Sequence, residues 1–110
     1  MSTATSGDLV GRIREALRIV IDPELGHNIV DLGFVYDIAI EEGGIARITM
    51  TTTTKGCPAT GFLREGVANS AWSVPGVEFV DVKLSYDPPW TSQMMSPDAK
   101  ADLGFVDGWD

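Results

Sequence analysis

The sequence holds one cysteine, Cys57, and one histidine, His27. A single thiol excludes an internal disulfide, and one thiol with one imidazole cannot make a closed zinc site from thiols. Without a second cysteine, a dithiol redox cycle within one chain is excluded as well. Positive charge is scarce: 8 Lys and Arg stand against 16 Asp and Glu, for a net charge of −8. Such a chain repels phosphate backbones and anionic lipid, so neither nucleic acid nor a membrane surface is an expected partner. No apolar run nears the ~20 residues that span a bilayer. No charged start leads through an apolar stretch to a small-residue cleavage site, so the expected address is cytoplasmic. Phosphate-binding glycine loops, nucleophile elbows, repeats and linkers are missing too.

What is present fits one globular domain. The 110 residues are 44% hydrophobic and 22% charged, and a chain of this size buries roughly 65% of its unfolded surface. Acid is concentrated late, where Asp81, Asp87, Asp98, Asp102, Asp107 and Asp110 face only Lys83 and Lys100. Arg12, Arg14, Arg18, Lys55 and Arg64 lie on the first helix and around Cys57. Solubility is the plain reading of this asymmetry. A basic partner surface facing the acidic end is the other.

Residues 1–7 are small and polar and read as a flexible N-terminus. Leu9, Ile13, Ala16, Leu17 and Val20 recur at helical spacing, with Asp8 as the N-cap and Pro23 as the stop. Phe34–Glu41 and Ile45–Thr52 read as antiparallel strands about Glu42-Gly43-Gly44. On the second, Ala46, Ile48 and Met50 share one face, opposite Arg47, Thr49 and Thr51. Phe62, Val67 and Ala71 predict a second helix over Pro58–Ser73. Val80, Val82, Leu84 and Tyr86 alternate with polar residues as a third strand. Ser96-Pro97-Asp98 opens a last helix that Gly104 closes. The fold class is α+β: a small two-layer α/β domain, order α-β-β-α-β-α, with helices mainly on one face of a three-stranded sheet. It spans 8–105, followed by an acidic tail over 106–110.

Cys57 leads the candidates for chemistry. It falls where an N-cap belongs, with Pro58 at the first helical position. Cysteine is a weak cap, whereas a helix N-terminus and the nearby Lys55 would favour a thiolate. A functional thiol or metal ligand and a buried apolar cysteine are the two readings. Asp22 lies where the helix dipole disfavours a carboxylate, although Asp-Pro also starts ordinary turns. Asp31 reads as a turn or cap residue and His27 as a surface or turn histidine. Thr51 to Thr54 read first as strand, with hydroxyls able to bond a ligand. Trp90 is expected to pack back on the core, and Met94 and Met95 to fill gaps.

Several motifs align in order. Asp22-Pro23-Glu24 and Asn28-Ile29-Val30-Asp31-Leu32-Gly33-Phe34-Val35-Tyr36 are followed by Ile48-Thr49-Met50-Thr51 and Gly56-Cys57-Pro58. Val74-Pro75-Gly76-Val77, Asp87-Pro88-Pro89-Trp90 and Met94-Met95-Ser96 complete the set. From about Leu9 to Phe105 the chain resembles the SufT/PaaD-like family of metal–sulfur cluster assembly factors. The resemblance implies work in iron–sulfur protein maturation, as an assembly or carrier factor rather than a turnover enzyme. Its reactive cysteine maps onto Cys57, its acidic pair onto Asp22 and Glu24, its second aspartate onto Asp31. The hydroxyl before the cysteine maps onto Thr53 or Thr51. Lys55 makes the site more cationic than in many members. The downstream cysteine cluster of PaaD-like proteins is missing, which favours a general maturation role over an oxygenase-linked one.

Implied partners are iron–sulfur assembly proteins, client apo-proteins and a second copy of the chain in a homodimer. No stable cofactor is expected; a labile iron–sulfur cluster or iron would touch Cys57, a transient metal ligand. One cysteine cannot supply the usual four cluster ligands, so two chains, a carboxylate or threonine, or a partner would complete them. The rival readings are a metal-free adaptor and a thiol enzyme with Asp22 or His27 as base.

Overall fold

The computed structural model describes residues 6–104. Of the stretch 1–7 read as a flexible terminus, residues 1–5 lie outside the described residues and Ser6 and Gly7 fall in the first helix; the acidic tail over 106–110 lies outside the described residues as well. Helix α1 covers Ser6–Leu17 and so starts two residues before the expected cap. Asp8 sits in its first turn, where the positive helix end favours a carboxylate, and pairs with Arg12 at 3.3 Å. Leu9, Ile13 and Leu17 form the buried stripe.

The helix ends at Leu17, well ahead of Pro23. Arg18, Ile19 and Val20 donate to carbonyls three residues back, a tightening typical of a last turn. A two-residue hairpin follows that the sequence pattern did not reveal: β1 (Ile21–Asp22) against β2 (His27–Asn28). The residue before a proline is biased to extended backbone, and Asp22 obeys this by pairing with His27.

Strands β3 (Val35–Glu41) and β4 (Ile45–Met50) form the expected antiparallel pair. Ala46, Ile48 and Met50 are buried while Arg47 is exposed, as the alternation requires. Arg47 bridges Glu41 at 2.7 Å and Asp81 at 2.8 Å across all three strands. Strand β5 (Phe79–Leu84) pairs parallel to β4, so the sheet is mixed, in the order β3-β4-β5. Parallel neighbours need a crossover, and helix α2 (Thr60–Trp72) provides it. Gly44 sets where β5 begins. It has φ +77°, its carbonyl accepts the Glu78 N–H at 2.9 Å, and a Cβ there would lie 2.7 Å from the Gly76 carbonyl oxygen.

On α2 the buried stripe is Leu63, Val67 and Ala71, spaced by four residues. Phe62 was expected on that face, but it lies one residue, about 100°, round the helix and is 63% exposed. Gly66 has a packing reason, since a Cβ there would stand 3.2 Å from Val20. Helix α3 (Pro97–Leu103) follows the predicted grammar: the Ser96 hydroxyl accepts the Ala99 N–H, and Gly104 closes the helix at φ +84°. Trp90 packs edge-on against Phe34, with ring centroids 5.4 Å apart, and donates from Nε1 to the Leu32 carbonyl at 2.7 Å. Met95 is buried in the same core.

Candidate functional site

Two irregular segments meet where the family motifs lie. The first is the β1–β2 turn. The Asp22 side chain is 1% exposed, and its Oδ2 accepts the Leu25 N–H at 2.9 Å. Its carbonyl accepts the Gly26 N–H at 2.7 Å. An aspartate bonded to the backbone three residues on makes a tight turn, and Gly26 at φ +68° completes it. Glu24 stands at the apex of that turn, with its side chain in solvent.

The second is the loop from Thr51 to Ala59, between β4 and α2. Thr51 and Thr52 are buried. The Thr51 N–H donates to Phe34 at 2.7 Å, and its hydroxyl donates to the Thr52 carbonyl at 3.2 Å. The Thr52 hydroxyl donates to the Thr54 carbonyl at 2.7 Å and lies 2.9 Å from the Tyr86 hydroxyl. Thr53 is half-buried, and its hydroxyl has no protein partner among the described residues.

Cys57 is 8% exposed and lies outside the contiguous hydrophobic core. Its N–H donates to the Thr54 carbonyl at 3.3 Å, and its carbonyl accepts the Thr60 N–H and hydroxyl. The expected capping role is corrected here. Ala59 is the N-cap of α2, without a side-chain bond, and Cys57 precedes it by two residues. The Thr60 hydroxyl, bonded 2.8 Å back to Cys57, ties down the helix start, so no capping side chain is needed at Cys57.

The thiol donates to Glu24 Oε1 at a sulfur–oxygen distance of 3.8 Å, which joins segments 33 residues apart. The sequence candidates Cys57 and Glu24 therefore come together, and Asp22 shapes the turn that presents Glu24. Lys55 is exposed and makes no ion pair among the described residues. Its charge stands free beside the Cys57 loop.

Asp31 serves another junction. Its Oδ1 accepts Arg18 Nη1 at 2.9 Å and its Oδ2 accepts Asn28 Nδ2 at 3.1 Å. Its carbonyl accepts the Ser96 N–H at 2.7 Å. Burial pulls the Arg18 pKa down, but the carboxylates of Asp31 and Glu15 outweigh it and raise the pKa above the ordinary arginine value. Asp31 thus fastens α1 to the segment before α3.

His27 is half-buried and faces α3. Its Nδ1 accepts the Asn28 N–H at 3.0 Å, so Nε2 carries the proton toward Asp102 at 3.1 Å. Both ring nitrogens are committed away from Cys57. Among the described residues no group of three or more His, Cys, Asp or Glu side chains is placed to hold a metal ion. The site offers one soft thiol and one hard carboxylate.

Tyr86 is the residue of this loop's surroundings that the sequence does not single out, whereas Thr52 belongs to the threonine run whose hydroxyls are read as able to bond a ligand. Thr52 was one of four threonines in a run, and Tyr86 read only as the end of a strand. A phenol at the last position of an apolar alternation was the available signal, since a half-buried tyrosine offers its hydroxyl to a buried polar neighbour such as Thr52.

Comparison with known proteins identifies the family. Residues 11–84 match a family model described as iron-sulfur cluster assembly protein. The chain is 44% identical over 92 residues to an Fe-S protein maturation auxiliary factor of Bacillus subtilis, covering 84% of this chain and 90% of that protein. It is 41% identical over 90 residues to an Fe-S protein maturation auxiliary factor of Porphyromonas gingivalis, covering 82% of this chain and 86% of that one. A solved domain of unknown function from Bacillus anthracis superposes with a TM-score of 0.86 at 40% identity, over 90% of this chain and 94% of that one. On a family match that spans both segments of the site, the chain belongs to the iron–sulfur cluster assembly protein family.

Proposed function

We propose that the chain is a maturation factor for iron–sulfur proteins that passes iron or a cluster to client proteins through Cys57. The maturation role rests on family membership and on relatives at about 40% identity over most of their length. The observation that carries the role of Cys57 is its contact with Glu24. The only thiol of the chain meets an exposed carboxylate held by a buried aspartate turn. The thiolate is the soft ligand that iron in a cluster prefers. Glu24 serves as a second, hard donor beside the thiol, and the hydroxyl of Thr53, without a hydrogen-bond partner among the described residues, lines the same loop. Asp31 supports the site by fastening α1 and α3.

Two donors leave a cluster short of its usual four ligands, and the rest come from a second copy of the chain, an assembly protein or the client. Incomplete ligation suits a cargo that must leave. The setting is the cytoplasm, and no described helix is long and apolar enough to cross a membrane.

The test is iron and acid-labile sulfide per chain after anaerobic reconstitution, with Cys57→Ser beside the wild type. Both metal and sulfide are expected in the wild type and absent from a folded Ser variant. Iron and sulfide absent from both would leave the metal-free adaptor reading in place of the carrier.

A further inference from the structure

Three hydrogen bonds link the end of β5 to the backbone of Cys57. The Thr52 hydroxyl has one proton, and it donates that proton to the Thr54 carbonyl at 2.7 Å, because a carbonyl can only accept. The Tyr86 O–H must therefore be the donor in its 2.9 Å contact with Thr52. The same Thr54 carbonyl accepts the Cys57 N–H at 3.3 Å. Tyr86, two residues beyond β5, thus holds Thr52, Thr52 holds the Thr54 peptide, and that peptide anchors Cys57.

From this geometry we propose that Tyr86 is a positioning residue for the Cys57 thiol, acting through the hydroxyl of Thr52. The inference rests on reading Cys57 as the transfer thiol, although the geometric claim can be tested without iron. The loop is also held at its ends, by the Thr51 N–H on Phe34 and by Thr60 and Glu24 on Cys57. Between them, Thr53, Lys55 and Gly56 make no side-chain hydrogen bond or ion pair among the described residues, and Lys55 and Gly56 are exposed, so the Thr52 hydroxyl is the side-chain tie of the middle of the loop. With Thr52 released, the loop opens more often, and the thiol, 8% exposed when closed, meets solvent more often.

Because Cys57 is the only cysteine, alkylation of the whole chain by iodoacetamide, followed by mass spectrometry, reports this thiol alone. Tyr86→Phe and Thr52→Val are each expected to speed alkylation roughly fivefold at fixed pH, the population change from one lost hydrogen bond. Thr52→Ser keeps the hydroxyl and removes the methyl, and is expected to restore the wild-type rate. Thr52→Val does the opposite, so the pair separates hydrogen bonding from packing. Ile13→Val, a core truncation on α1, controls for general loss of stability and is expected to leave the rate unchanged.

Tyr86→Phe within twofold of wild type would overturn the proposal. So would equal acceleration in Ile13→Val, or in Thr52→Ser and Thr52→Val alike. If Tyr86→Phe changes alkylation while Cys57→Ser still matures clients, the positioning stands and the transfer role of the thiol fails.

Discussion

Gly33→Ala is expected to lower stability by about 2–5 kcal/mol, from left-handed strain of roughly 1–2 and overpacking of roughly 1–3. Gly33 has φ +81°, a region that side chains other than glycine rarely adopt. An added Cβ would overlap the Met94 carbonyl oxygen and stand 2.8 Å from its carbonyl carbon. Backbone, not a flexible side-chain end, would have to move. That backbone leads directly to Met95, buried in the core, and to Ser96, whose N–H bonds Asp31. Thermal unfolding followed by circular dichroism is expected to show a loss of roughly 10 °C or more for a domain of this size. Gly11→Ala is the contrast. Gly11 lies inside α1 with nothing within 4 Å of an added Cβ, so Ala there is expected to stabilise by up to about 1 kcal/mol. Equal melting temperatures for the two variants would contradict this account of the Gly33 junction.

Asp22→Ala is expected to cost about 1–3 kcal/mol and to loosen Glu24 from Cys57. The Asp22 carboxylate is buried and accepts the Leu25 N–H. Its removal leaves that donor unpaired in a partly buried turn and opens the conformation that places Glu24 at the apex. Asp22→Asn keeps an acceptor oxygen at the same position and is expected to retain most of the stability. Urea unfolding measures the cost, and hydrogen exchange at the Leu25 amide locates it. Faster exchange at Leu25 in the Ala variant, with Asn close to wild type, is the expected pattern. An Ala variant as stable as wild type, with Leu25 still protected, would show that the carboxylate does not hold the turn.

The parts of the fold that were legible in the sequence are those whose signal is local. The stripe Leu9, Ile13, Leu17 reports a helix by spacing alone, and Ser96-Pro97 with Gly104 marks both ends of α3. Alternation along Val80 and Val82 identifies β5 as a half-buried strand. Alternation carries no direction, however, so the parallel pairing of β5 with β4 was not readable from it. The β1–β2 hairpin was missed because two-residue strands are too short to show a period.

The site divides the same way. Cys57 was legible as an odd residue next to a helix start, but the Cys-Pro pattern placed it in a cap that Ala59 holds. Thr60, bonding back to Cys57, does locally what a cap does elsewhere. The approach of Glu24 to Cys57 spans 33 residues, and no spacing rule encodes it. The family resemblance names both residues, together with Asp22 and Asp31, but does not say that Glu24 is the one to meet the thiol. Tyr86 reaches Thr52 across 34 residues of chain and carried no such motif. The bonds of Asp31 to Asn28 are local and fit a turn residue, whereas its ion pair with Arg18 spans 13 residues and no local pattern encodes it.

The central claim is that this chain helps mature iron–sulfur proteins through one thiol. The most direct measurement is the activity of iron–sulfur client enzymes in cells lacking the protein, complemented by wild type or by Cys57→Ser at equal abundance. Serine at Cys57 disturbs neither the Thr54 nor the Thr60 bond, since both use the backbone of residue 57. The variant is therefore expected to fold. Client activity restored by wild type and left at the deletion level by Cys57→Ser is the predicted result. Full restoration by the Ser variant would contradict it.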